Sequence, residues 1–177
     1  SYQWYYGGSP LAGETGLSLG IGDVAEGNRG GYQVLVSNEA GSVRSVEARL
    51  DVLVKPRLIT QPKGGEVIEG GAYVFQVLAS GTAPLNYEWL RDGVRIEGAA
   101  SESSLLVTGV SIADGGGYSV SVSNTAGTVT SDEGLLTVLV PPVVTVHPVS
   151  RSVVEGGSVT FGVTAGGSAP LSYQWYY

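Results

Sequence analysis

The chain has 177 residues, no cysteine, one histidine and a net charge of −7. This composition excludes a disulfide scaffold, a thiol nucleophile and a multi-histidine metal site, and it argues against a Ser-His-Asp triad. An acidic chain with only two lysines is also a poor partner for nucleic acids, because phosphate neutralisation supplies most of that affinity.

An internal repeat organises the chain. Residues 1–6 (SYQWYY) recur letter for letter at 172–177, and a weaker copy (NYEW) lies at 86–89. The run GGYQVLVSN at 30–38 is matched by GGYSVSVSN at 116–124, which lies 86 residues further on. Self-similarity at a fixed period is the signature of repeated structural units.

The repeat divides the chain into three segments. We predict the rear half of one unit at 1–55, a complete domain at 56–141 and the front half of the next unit at 142–177. Because the tryptophan-bearing strand is predicted at both ends, we expect the chain to be a processed product or part of a longer array.

In the complete unit, apolar and polar residues alternate over short runs, which is typical of half-buried strands. Asp92-Gly93 and the run 124–127 predict turns. No segment has sustained helical periodicity, so we expect an all-β fold of about seven strands per unit, arranged as an antiparallel sandwich. The clearest predicted strands are 73–77, 85–90, 104–107, 118–122 and 135–139.

The motifs of this unit resemble those of immunoglobulin-like domains, closest to the intermediate set. Trp89 matches the core tryptophan of strand C, residues 114–118 (DGGGY) the tyrosine corner, and residues 124–127 (NTAG) the turn between strands F and G. In the first segment, Asn28 and Tyr32 take the places of the corner aspartate and tyrosine. The resemblance implies tandem immunoglobulin-like β-sandwiches along the whole chain.

The two cysteine positions of such domains carry valines here, so the tryptophan would pack on an apolar plug instead of a disulfide. Cysteine-free repeats of this kind resemble those of large bacterial surface proteins. The valines fall on Val77 and Val163 in strand B, and on Val34 and Val120 in strand F. With them, the resemblance implies these fold-defining residues: Trp4, Trp89, Trp175, Tyr32, Tyr118 and Asp114.

Aromatic residues concentrate at the two ends, where six of the ten tyrosines and two of the three tryptophans lie. Alternation along a strand places Trp4 with Tyr2 and Tyr6 on one face and Tyr5 on the other. A purely structural role, with the tryptophan face in the core, is favoured over an aromatic platform for a sugar ring. We predict a candidate interface between repeats that consists of Tyr2, Tyr5, Tyr6, Tyr173, Tyr176 and Tyr177.

Nothing in the sequence predicts a catalytic, cofactor or metal site. The glycine pairs lack the lysine and helix of a phosphate loop, and no calcium-loop pattern occurs. Calcium at a domain junction, through Glu69 or Glu155, is a less favoured alternative to solvated carboxylates. His147 stands where the other repeat has Gln61, which indicates a polar surface or linker contact. We therefore predict that the chain is not an enzyme.

The leading hypothesis is structural. We predict a repeat unit of an extracellular filament, stalk or large surface protein, located outside the cell or at its surface. Its partners would be neighbouring repeats or copies, which would complete the half-units head to tail, either in trans or within a continuing array. An adhesin or carbohydrate-binding module, with a glycan or cell-surface ligand, is the alternative. No apolar run approaches the roughly 18–20 residues that a membrane span needs.

Overall fold

The computed structural model describes residues 1–177 and is nearly all β. It contains 17 strands and two short 3-10 helices, at Glu26–Asn28 and Ile112–Asp114. The strands fall into three groups, one in each repeat segment.

The first segment, residues 1–55, forms one five-stranded sheet with the order β2-β1-β3-β4 and with β5 also beside β3. Its strands are β1 (Tyr2–Tyr6), β2 (Ser9–Pro10), β3 (Gly30–Asn38), β4 (Gly41–Arg44) and β5 (Ala48–Leu50). In the antiparallel pair of β1 and β3, Tyr2 faces Val36 and Tyr6 faces Tyr32. The segment is therefore a single layer.

The middle segment, residues 56–141, forms a two-layer sandwich, and each strand predicted from the sequence forms there within about two residues of its predicted bounds. The larger sheet has the order β11-β10-β13-β15-β7, with β14 also beside β13. The smaller sheet joins β12 to β8 and β6 to β9, and Val77 alone separates β8 from β9 along the chain. The strands are β6 (Arg57–Thr60), β7 (Gly65–Ile68), β8 (Ala72–Gln76), β9 (Leu78–Ser80), β10 (Asn86–Arg91), β11 (Val94–Arg95), β12 (Ser104–Thr108), β13 (Gly116–Asn124), β14 (Gly127–Thr130) and β15 (Gly134–Leu139).

The predicted Asp-Gly turn closes the hairpin between β10 and β11. Asp92 and Gly93 have φ angles of 50° and 76°, and a two-residue hairpin of this type requires positive φ at both central residues. Arg91 is consequently paired with Val94 in the antiparallel ladder.

The core of the sandwich lies between its two sheets. Phe75 of the smaller sheet and Trp89 and Val120 of the larger sheet are 0% exposed. The Phe75 ring stacks on Tyr118 at a centroid distance of 4.4 Å. Val77 and Val120, the valines that stand where the resemblance would place the two cysteines, both belong to this buried cluster.

The last segment, residues 142–177, forms only two short strands, β16 (Val143–Val146) and β17 (Thr164–Gly166). Their register, with Val143 facing Gly166, reproduces that of β6 and β9. Residues 172–177 have the same sequence as β1 and its flanking serine, yet they form no strand. The strand predicted there is therefore wrong for this chain, because a strand needs a pairing partner and none lies beside this run.

Truncating the buried tryptophan tests the core. We expect Trp89→Ala to lower the free energy of unfolding by about 3–5 kcal/mol, since it removes a fully buried side chain. Trp175 is 52% exposed, so Trp175→Ala should change that free energy by only about 0.5 kcal/mol in the monomeric chain. Urea unfolding at low protein concentration, followed by circular dichroism, measures both, and equal effects would contradict this core assignment.

Candidate functional site: the open faces of the end segments

The tryptophan of the first segment makes the same indole hydrogen bond as the tryptophan of the middle sandwich. The Trp89 Nε1–H donates to the Glu102 carbonyl at 3.0 Å. The Trp4 Nε1–H donates to the Gly16 carbonyl at the same distance, and Gly16 lies 86 residues before Glu102. The indole is thus in its core position even though no second sheet covers it.

The face of the first sheet that carries this tryptophan, here called the first open face (Trp4, Val34 and Val36), is only partly covered. Trp4 and Val34 are half-buried. Val36 is 37% exposed, whereas its counterpart Val122 in the middle sandwich is 0% exposed. These three side chains are apolar, as core residues are, but they remain partly exposed to solvent.

The last segment has a matching last open face, formed by Phe161, Val163 and Trp175. Phe161 is 47% exposed and Trp175 is 52% exposed, while their counterparts Phe75 and Trp89 are 0% exposed. A hollow of about 290 Å³ opens on this face. Its apolar lining includes Val143, Val144, Val163, Leu171 and Trp175.

In the first and last segments, the counterparts of two paired strands of the middle sandwich are missing. In the middle sandwich, β12 pairs with β8, with Leu105 opposite Phe75. The counterpart of β12 is the run 18–22, and that of β8 is the run 158–162. Neither run forms a strand. The run 18–22 belongs to the first segment and the run 158–162 to the last, so the two sequences that would pair lie in different segments.

The end segments do not complete each other within the chain. No strand pair joins residues 142–177 to residues 1–55, and no backbone hydrogen bond does so. The hollow of the last segment is lined by residues of that segment alone. Neither open face is therefore covered by the other end segment.

The tyrosine corner is present in both repeats. The Tyr118 hydroxyl donates to the Asp114 carbonyl at 2.8 Å, and the Tyr32 hydroxyl donates to the Asn28 carbonyl at 2.8 Å. Tyr118 and Tyr32 are both buried. The corner forms even in the one-layer segment because its contacts lie within a few residues along the chain.

The Asp114 carboxylate anchors the loop that precedes the corner. It accepts hydrogen bonds from the Ser111 amide at 2.8 Å, the Ser111 hydroxyl at 2.7 Å and the Arg91 guanidinium at 3.1 Å. These bonds, with the Ser111 amide contributing most, hold the pKa of the Asp114 carboxyl below its usual range. In the first segment, Asn28 accepts the corresponding bond from the Ala25 amide at 2.8 Å.

A hydrogen-bonded clamp at each junction between segments was not anticipated from the sequence. The Val54 amide donates to Thr82 Oγ1 at 2.8 Å, and the Thr82 amide donates back to the Val54 carbonyl at 3.0 Å. Val140 and Ser168 form the same pair at 2.8 and 2.9 Å. A signal existed, since both repeats place a hydroxyl residue between a glycine and Ala-Pro-Leu.

Asn124 reinforces the first of these clamps. Its Nδ2 donates to the carbonyls of Val54 and Thr82 at 2.8 and 2.9 Å. Its Oδ1 accepts from the amides of Ala126 and Gly127, which holds the predicted turn. One side chain therefore ties the turn of the sandwich to the linker that enters it.

The tyrosines of the predicted interface lie in different surroundings. Tyr2, Tyr5 and Tyr6 are half-buried in β1, whereas the other three are exposed, namely Tyr173, Tyr176 and Tyr177. The Arg44 guanidinium lies 4.0 Å from the Tyr5 ring centroid, which is a cation–π contact. The Tyr6 hydroxyl donates to the Gly27 and Arg29 carbonyls, both at 2.8 Å. Their role as an interface stays a prediction.

The largest cavity, of about 610 Å³, lies on the middle sandwich between β11 and β12. Its carboxylates are Asp92, Glu97 and Asp114. The lowered pKa of Asp114 is opposite to the raised pKa that a general acid needs at neutral pH. No group of three or more His, Asp or Glu side chains is placed to hold a metal ion. No helix of the chain has the length and apolarity that a membrane crossing requires.

Comparisons with known proteins agree with this architecture. Residues 55–124 match the family model described as immunoglobulin domain. The cell adhesion molecule DSCAML1 of Gallus gallus is 32% identical over an alignment of 171 residues that covers 89% of this chain and 8% of that protein. The probable oxidoreductase PXDNL of Homo sapiens is 28% identical over an alignment of 165 residues that covers 89% of this chain and 11% of that protein. The chain thus spans about a tenth of the length of these relatives.

Among solved structures, the I-band fragment I67-I69 from titin superposes with a TM-score of 0.75 at 21% identity, covering 96% of this chain and 66% of that one. At this identity the likeness shows the fold alone, and it confirms the predicted all-β fold of tandem immunoglobulin-like domains. A further relative, of Homo sapiens, is also named as a cell adhesion molecule, DSCAM, at 28% identity. The relatives named above are animal proteins and give no support to the predicted bacterial resemblance.

Removing the corner hydroxyl tests the tyrosine corner. Tyr118→Phe should lower the free energy of unfolding by about 1 kcal/mol, because the partly buried Asp114 carbonyl loses the donor of the buried Tyr118 hydroxyl. Tyr87→Phe is the matched control, since Tyr87 packs against the same core outside the corner. Urea denaturation midpoints report the difference, and an unchanged midpoint for Tyr118→Phe would argue against a stabilising corner.

The acid dependence of stability tests Asp114. Because the pKa of this carboxyl is lower in the folded chain, its contribution is fully present above the unfolded pKa of about 3.9 and is lost as pH falls through the folded value. Asp114→Asn keeps an acceptor, as Asn28 does, and should cost roughly 1 kcal/mol at pH 7. Urea unfolding at pH 7 and at pH 2.5 should show this difference shrinking in acid. A gap that is the same at both pH values would contradict the role of the charge.

Proposed function

Because residues 55–124 form an immunoglobulin-like domain, we propose that this chain is a structural repeat segment of an extracellular or cell-surface protein, of the filament, stalk or large surface type. In this proposal, residues 56–141 are a complete domain, residues 1–55 the rear half of one repeat and residues 142–177 the front half of the next. The half-repeats are completed head to tail by neighbouring copies or by a continuing array.

The observation that carries the proposal is the complementarity of the two open faces. Phe161 and Trp175 are about half exposed, at positions whose counterparts are core residues in the middle sandwich. Burying such side chains is favourable by about 1.5–3 kcal/mol each. The first segment has the sheet that would cover Phe161, and the last segment has the strand sequence that corresponds to β8, which the first one lacks.

Completion in trans and completion in an array predict different assemblies. Copies that exchange segments form a heterologous contact that does not close on itself, and such contacts generate filaments. In an array, the same contacts form within one chain and the product is a stalk of successive domains. The paired clamps at Thr82 and Ser168 suit either form, because they hold each linker against the domain that follows it.

A ligand-binding role is the second candidate, favoured by the relatives named as cell adhesion molecules. The first segment offers a poor sugar platform, since Arg44 occupies one face of the Tyr5 ring. Adhesion through protein surfaces at the cell exterior fits the chain better than glycan binding. We further propose that the chain has no enzymatic activity, binds no nucleic acid and needs no cofactor.

A circular permutant tests the completion of the half-repeats. Joining residue 177 to residue 7, so that the new chain runs from 56 to 177 and then from 7 to 55, restores the order of one whole repeat. This permutant keeps only Trp89 and Trp175. We expect both to resist acrylamide quenching and the permutant to stay monomeric, because the two half-repeats fold together within one chain.

The original chain distinguishes the two routes of completion. Concentration-dependent association, with filaments in electron micrographs, supports completion by copies, whereas a monomer beside a well-folded permutant supports the array. Phe161→Ala should destabilise the permutant by about 3–5 kcal/mol, and Thr160→Ala, at the neighbouring position of opposite orientation, serves as its control. A permutant that keeps a readily quenched tryptophan would overturn the proposal.

A further inference from the structure

The outer face of the smaller sheet in the middle sandwich carries exposed aliphatic side chains. Ile59, Val74, Leu78 and Leu106, here called the aliphatic face, are 58%, 48%, 54% and 61% exposed. Val74 and Leu106 lie directly opposite each other on β8 and β12. Ile59 lies in the irregular pairing between Leu58 and Thr60, beside β9. The four residues therefore extend across the face from β6 at one edge to β12 at the other.

The other repeat of the same chain carries polar or small residues at these positions. Val74 and Leu78 correspond to Thr160 and Thr164, and Ile59 corresponds to Thr145. Leu106 corresponds to Gly20 in the first segment. The two repeats thus share apolar residues at the positions that are buried in the middle sandwich, such as Phe75 and Phe161, but not on this outer face. Exposed apolar clusters without a folding role are typical of interaction surfaces.

The charges around the aliphatic face indicate which kind of surface can bind it. The chain has a net charge of −7, so two copies repel each other over most of their surface. The four strands β6, β8, β9 and β12 contain no carboxylate, and Arg57 is their only charged residue. Glu102 is exposed in the loop just before β12. The face is thus neutral, with a positive charge at its β6 edge and a negative charge beside its β12 edge.

We propose that the aliphatic face binds the same face of a second copy of this chain, around a two-fold axis parallel to the strands. Such an axis places β6 of one copy over β12 of the other, so Arg57 meets the partner's Glu102 twice in the dimer. Both residues lie toward the same end of the sheet, since Arg57 pairs with Ser80 and Glu102 precedes the Ser104–Gln76 pair. The contact is isologous and closes at two copies.

This lateral contact is independent of the completion of half-repeats. It uses the outside of the complete sandwich, whereas completion uses the inner faces of the end segments. Where both contacts form, two chains of repeats would lie side by side, in register at every second repeat.

Site-directed crosslinking tests the contact in the full chain, which has no cysteine of its own. Gln76 points outward between Val74 and Leu78 and is exposed. Gln76→Cys, treated with a short bismaleimide, should give at least ten times more crosslinked dimer than Leu135→Cys. Leu135, which is 63% exposed on the larger sheet, is the matched control for exposure.

Adding V74T and L78T to Gln76→Cys should reduce the dimer yield to that of the control. The other repeat has threonine at both positions, so these changes suit the fold, and an unchanged circular dichroism melting curve confirms it. Equal yields from Gln76→Cys and Leu135→Cys would overturn the proposal, as would a yield that the double threonine change leaves unaltered. Either result would leave the completion of half-repeats, which the permutant measures, unaffected.

Discussion

The contact between the two sheets of the middle sandwich is the interaction on which the rest of the structure depends. Phe75 comes from the smaller sheet and packs on Tyr118 at 4.4 Å and on Trp89 at 6.2 Å between ring centroids, both from the larger sheet. Val77 and Val120 belong to the same buried core. Because a single sheet cannot bury its apolar face, this core exists only where both layers are present.

The end segments carry corresponding repeat sequences without that contact. Phe161 and Trp175 have the chemistry of Phe75 and Trp89, yet about half of each side chain faces solvent. Strand formation fails together with burial, as at residues 172–177, because ladder hydrogen bonds and apolar packing stabilise each other. The first segment fares better since its β1–β3 pair lies within one segment, and it keeps a sheet that is open on one side.

Local hydrogen bonds persist where the core does not. The corner bonds from Tyr118 and Tyr32 have the same length in the two-layer and the one-layer segment. The clamps of Thr82 and Ser168 on the linkers also match closely. These contacts join residues that the chain or its linker keeps near each other, so they need no second sheet. The clamps hold each linker against the segment that follows it.

The sequence by itself determined the repeat period, the places of the strands in the middle segment, the Asp92-Gly93 turn and the valines that replace cysteines, because alternation and turn chemistry are local properties. Alternation and turns indicated an all-β sandwich, and the resemblance of its motifs to immunoglobulin-like domains implied the fold family. Only the tertiary structure decided that Trp175 is exposed while Trp89 is buried, although both follow Ala-Pro-Leu in corresponding strand sequences. It also revealed the linker clamps and the aliphatic face of Val74 and Leu106. The physical reason is that burial and strand pairing depend on a partner distant in sequence, and only the folded chain shows whether that partner is there.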